Sequence, residues 1–146
     1  MRLRIHAHGW ITSGSATPTL TIGLWLAKPA TALAAATLLA TSGALALPAA
    51  VTQGPWMLDY YGRCTALSTP ASATAGQISG RGRILQVNTL AAFLSPDAAL
   101  SPTYAGRLSA GFDTTFPQNL LIGFILSAVT GTPSLACEEL TAELEG

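Results

Sequence analysis

Apolar and small polar residues alternate with a period of two along most of this chain, with few charges between them. Thr19–Leu26 shows the pattern best. Leu20, Ile22, Leu24 and Leu26 fall on one parity, and Thr19, Thr21, Gly23 and Trp25 on the other. Successive side chains of a strand point to opposite sides of a sheet, so this segment predicts a strand with one face in a core. The same reading predicts strands at about Arg2–Ile11, Thr19–Ala27, Trp56–Ala66, Gln77–Val87, Asn119–Val129 and Ser134–Leu144. Ala32–Ala40 is ambiguous, because its alanines and leucines favour helix. Its shortness and the Thr41-Ser42-Gly43 turn favour a strand paired with Ala44–Leu47. About eight antiparallel strands without room for helices predict an all-β, jelly-roll-like antiparallel sandwich in a single domain.

Details of the pattern sharpen this picture. Trp56, Leu58, Tyr60, Gly62 and Cys64 share one parity, which places Trp56 in the core. Gly80 and Gly82 alternate with Arg81 and Arg83. Glycines inside a strand mark a close approach, here expected from Tyr60 or Trp56 across the sheet. Leu120, Ile122, Phe124 and Leu126 oppose Leu121 and Ile125, so this strand is expected to be covered on both faces. Cys137 is out of phase with Leu140, Ala142 and Leu144, which predicts a bulge near Glu138.

Asn88–Arg107 is the least regular stretch, broken by Pro96, Asp97, Pro102 and Gly106. Long structureless connections are uncommon in compact domains. This one keeps Leu90, Phe93, Leu94, Leu100 and Tyr104, more apolar content than a flexible linker needs. It reads as a partner-binding arm, the alternative being a loop folded onto its own domain.

Only 10% of the 146 residues are charged, and the net charge is zero. Ordinary soluble domains carry about 25%. A monomer with so little charge dissolves poorly, so much of the surface is expected to be covered by other subunits. The arginines are scattered and Lys28 is the only lysine, which excludes a basic nucleic-acid patch. Polar residues and glycines interrupt every early apolar run, and Pro29–Val51 is too polar for a membrane helix, so neither a signal peptide nor a membrane span is expected. Cys64 and Cys137 fit no metal or redox spacing and read as buried free thiols.

Candidate chemistry is sparse. His6 and His8 share a strand face, half of a zinc site, but no further ligands follow at a motif spacing. Glu138, Glu139, Glu143 and Glu145 make the C-terminus acidic without a partner for acid–base work. Asp59 and Arg63 lie too far apart along one strand to pair directly and are expected to pair across strands. Gly80-Arg81-Gly82-Arg83 lacks the strand-to-helix junction of a phosphate loop. No nucleophile, base and orienting group come together, so no catalytic residue, metal or cofactor is expected.

Three pieces in order carry a resemblance. They are Ile5–Gly9 with the Thr-rich second strand, Gly54-Pro55-Trp56-Met57-Leu58 through Arg63-Cys64-Thr65, and the ending Pro133–Leu144. Asp113-Thr114-Thr115 before Leu120–Leu126 adds to them. This order resembles the small β-sandwich virion proteins of tailed bacteriophages. The resemblance implies a head decoration or accessory structural protein, often trimeric, made in the host cytoplasm and incorporated in the virion. Its partners would be the major capsid protein or other virion proteins, and it would have no catalytic role. A tail- or fibre-attached β domain that binds a host receptor or glycan is the competing reading. An outer-membrane barrel would need aromatic girdles and a signal peptide.

Overall fold

The computed structural model describes residues 1–14, 17–31, 35–69, 71–72, 74–86, 98–100, 111–115, 117–127 and 132–146. Among them lie nine strand segments: β1 (Arg2–Thr12), β2 (Thr19–Ala27), β3 (Thr37–Thr41), β4 (Leu45–Ala46), β5 (Gly54–Ala66), β6 (Gln77–Gln86), β7 (Ala98–Leu100), β8 (Asn119–Leu126) and β9 (Ser134–Glu145). They form two antiparallel sheets packed as a sandwich. The larger has the order β7-β6-β5-β1-β9. In the smaller, β2 is central and β8 runs along one edge. β3 pairs with Gly23–Leu26 and β4 with Thr19–Leu20, end to end along the other edge. The expected pairing of Ala32–Ala40 with Ala44–Leu47 is therefore corrected. The strand begins at Thr37, and both short segments pair with β2, the long apolar neighbour whose ladder they complete.

The core follows the alternation. The larger sheet contributes Ile5, Ala7, Ile11, Trp56, Leu58, Tyr60, Ile78 and Ile84; the smaller contributes Leu20, Ile22, Leu24, Leu39 and Ala40. Burying each large apolar side chain is worth about 1.5–3 kcal/mol. Trp56 is 2% exposed. It meets Phe124 of β8 edge-on at 5.4 Å, and its Nε1–H donates to the Ala136 carbonyl at 3.1 Å. Gly9 makes room for that arrangement, since a Cβ there would collide with the Ala136 oxygen. His8 pairs with Glu139 and Gly9 with Cys137, leaving Glu138 as the extra residue of the expected bulge. Tyr60 lies against Gly62 and Gly80, as the glycines of β6 predicted.

Candidate partner-binding surfaces

The two outer faces of the sandwich differ in charge. On the larger sheet, β1 presents Arg2, Arg4, His6 and His8, and β5 presents Asp59 and Arg63. β6 adds Arg81 and Arg83, and β9 adds Glu139, Glu143 and Glu145. Cross-strand register pairs some of them, although Arg2 stands opposite Arg63. His6 Nδ1–H donates to Asp59 Oδ1 at 2.8 Å, and Arg83 Nε–H reaches Asp59 Oδ2 at 3.4 Å. Arg4 lies 4.0 Å from Glu143 and His8 3.9 Å from Glu139. Burial alone would raise the Asp59 carboxyl, but the hydrogen bonds and charges of His6 and Arg83 outweigh it and hold its pKa below the ordinary value. Asp59 and Arg63 thus do not pair with each other. The exposed Arg4–Glu143 and His8–Glu139 pairs add little stability and mark a water-facing surface.

The outer face of the smaller sheet carries no ionisable side chain among the described residues of its strands. It presents Leu38 and Thr41 from β3, Thr21, Gly23 and Trp25 from β2, and Leu121, Gly123 and Ile125 from β8. Gly23 and Gly123 are register partners, and a Cβ on either would collide with the Trp25 indole. The ring therefore lies across two glycines of neighbouring strands, which flattens the face. Trp25 stays partly exposed and Ile125 is 60% exposed. The sequence offered the signal in glycines at the centres of two apolar strands, but the platform needs the β2–β8 pairing that only the fold supplies.

Among the described residues, the sandwich is open along one side. Leu140, Ala142 and Leu144 of β9 pair with Ala7, Ile5 and Leu3 of β1. Ile5 and Ala7 are fully buried, whereas Leu140 is 49% and Leu144 68% exposed. Cover from the smaller sheet thus ends between β1 and β9. Its margin is β8, whose inward Leu120, Ile122, Phe124 and Leu126 are only partly buried. The expectation that this strand is covered on both faces is corrected, because β8 forms the sheet edge and Ile125 stands in the open. A largely apolar cavity of about 290 Å³ opens here, lined in part by Leu3, Leu26, Ile78, Leu120, Ala142 and Leu144.

At that end of the sandwich a polar clip closes the loops. Ser68 Oγ donates to the Phe112 carbonyl at 2.9 Å and accepts from the amides of Thr114 at 3.0 Å and Gly76 at 3.1 Å. Asp113 accepts from Lys28 Nζ and from the Thr115 amide, each at 2.9 Å, and from the Thr115 hydroxyl. The Thr115 and Lys28 hydrogen bonds hold the Asp113 carboxyl down at about 2. Ser68 is thus engaged by backbone groups of the neighbouring loops, an arrangement that suits a fastening.

The remaining sequence candidates fall in different places. Leu90, Phe93, Leu94 and Tyr104 lie outside the described residues. Leu100 does so for its side chain, while its backbone pairs with Gly82 in the short β7. His6 and His8 stack at 5.9 Å on the charged face, and no group of three or more metal-ligating side chains forms among the described residues. Both cysteines are free, but neither is fully buried as expected: Cys64 is half-buried near the end of β5, and Cys137 is exposed, because the bulge carries it along the uncovered β9. No described helix is long and apolar enough to cross a membrane. Comparison with models of known families, with characterised proteins and with solved structures finds no match.

Proposed function

We propose that this chain is a structural virion protein of a tailed phage, a decoration or cement protein that binds the head lattice of the major capsid protein as a homotrimer and stabilises it. The observation that carries the reading is the outer face of the smaller sheet, flat, apolar and without charge around Trp25, Leu121 and Ile125. A contiguous apolar face of this kind marks a protein–protein contact. The opposite face carries the charged residues of the strands and suits the outside of a particle. The apolar face meets other subunits, those of its own trimer and those of the lattice, and the opposite face meets water, which is what a lattice-covering protein requires. Cement action then follows from mass action. Apolar surface buried across joints between capsid subunits stabilises the assembled shell over its separated parts. The 10% charge content and the order of sequence pieces that resembles small virion proteins support the same reading.

Quantitative mass spectrometry and electron cryomicroscopy of virions from the phage that encodes this chain test it. The expected result is many copies in a regular array on the head. A few copies at the tail would replace it with the receptor- or glycan-binding reading, and absence from the particle would overturn both.

A further inference from the structure

We infer that the free edge of β9 accepts an extended strand from a partner protein, and that this strand alternates basic and apolar residues. This second surface stands apart from the outer face of the smaller sheet and does not depend on the phage reading. β9 ends its sheet, so among the described residues only its β1 side is paired. An open row of backbone donors and acceptors is a template for strand addition.

The side chains of β9 state what the strand must carry. On the outer face stand Glu139, Glu143 and Glu145, with Glu138 at the bulge. These are four of the chain's seven acidic residues, and β9 holds no cation. On the inner face stand Leu140, Ala142 and Leu144, the last two lining the apolar cavity, and no described strand covers them. An incoming strand therefore places arginine or lysine opposite the glutamates, and apolar side chains over Leu140 and Leu144, reaching toward Leu120. β1 shows the solution on the opposite edge. Its Arg2-Leu3-Arg4-Ile5-His6-Ala7-His8 alternates basic and apolar residues in register with β9. The same charge pattern excludes a second copy of β9 as the occupant, since two-fold pairing of β9 with itself sets its acidic faces against each other.

Binding of fluorescent octapeptides to the whole chain tests the inference. The probes are one alternating arginine and leucine, one with the same residues in two blocks, and one alternating glutamate and leucine. The alternating basic peptide is expected to bind saturably, to weaken with salt, and to slow amide deuterium exchange in β9. The block peptide, the acidic peptide and the Glu143→Lys variant should each lose about tenfold or more in affinity, as like charges across an interface are strongly disfavoured. Should Glu143→Lys fail to fold, Glu145→Lys at the strand end gives the same readout. Equal binding of block and alternating peptides, protection away from β9, or no saturable binding would overturn the inference. So would concentration-dependent protection of β9 in the chain alone, which would mark a second copy as the occupant. Particle copy number is measured separately, so failure here leaves the decoration reading untouched.

Discussion

β5 and β9 carry the same alternation and meet opposite fates. Both pair with β1, β5 on one side and β9 on the other, but β5 is the central strand of the sheet and β9 its edge. On β5 the inward Trp56, Leu58 and Tyr60 are 2%, 0% and 0% exposed. On β9 the inward Leu140 and Leu144 are 49% and 68% exposed. Alternation sets the phase of a strand, meaning which side chains share a face. Whether a face is covered depends on the width of the opposing sheet, and here that sheet runs out before it reaches β9. Among the described residues the apolar phase of β9 thus has no internal partner, which is the physical reason for placing one outside the chain.

The largest effect that should separate the two strands is Trp56→Ala. Loss of a buried Trp costs about 3–5 kcal/mol, and the Ala136 carbonyl loses its donor as well. Denaturant unfolding measures it. A loss below about 1 kcal/mol would mean that β5 is no better covered than β9, since surface changes fall in that range.

Cover over the β5–β6 end depends on the Asp113 clip, and acid should release it. The Asp113 pKa is about 2 in the folded chain against an ordinary 3.8. Its ionised form therefore adds stability above pH 3.8 that is lost as the pH falls through about 2. Thermal melts of Asp113→Asn should lie below wild type at neutral pH and converge toward it in that acid window. Parallel curves would remove Asp113 from the acid response.

Tyr60 shows the cost of full cover. Its hydroxyl is buried and has no hydrogen-bond partner among the described residues, and burial pushes its pKa up to about 12. An unmade buried hydrogen bond costs about 1–3 kcal/mol. Tyr60→Phe should accordingly leave stability unchanged or raise it by about 1 kcal/mol. A clear loss in denaturant unfolding would mean that the hydroxyl is satisfied.

The smallest effect is expected on the open strand. Leu140→Ser should change the stability of the isolated chain by no more than about 0.5 kcal/mol, as at other surface sites. A cost as large as that of Trp56→Ala would show that β9 is covered within the chain.

Much of the architecture was legible in the sequence, and the reason is local. A period of two reports strand and phase directly, so β2 falls at Thr19–Ala27 as read, and the phase slip between Cys137 and Leu140 locates the bulge at Glu138. Gly80 likewise pointed to Tyr60. What stayed hidden is set by partners distant in sequence. The β3 and β4 segments are too short to show an alternation, and nothing in them names β2 as their shared neighbour. Leu120–Leu126 reads as doubly covered because its apolar residues are the same whether a strand is central or at an edge. The platform was missed for the same reason, because Trp25 becomes a flat surface only once Gly123 is beside Gly23.

The central claim is that the uncharged outer face of the smaller sheet is covered by other subunits. Sedimentation equilibrium of the chain and of Ile125→Lys at micromolar concentration tests it most directly. Ile125 is 60% exposed on that face, so a lysine there leaves the fold intact but sets a charge in the contact. The account predicts a trimer for the wild type and a monomer of unchanged melting temperature for the variant. A wild-type monomer, or a trimer that the lysine does not disturb, would contradict it.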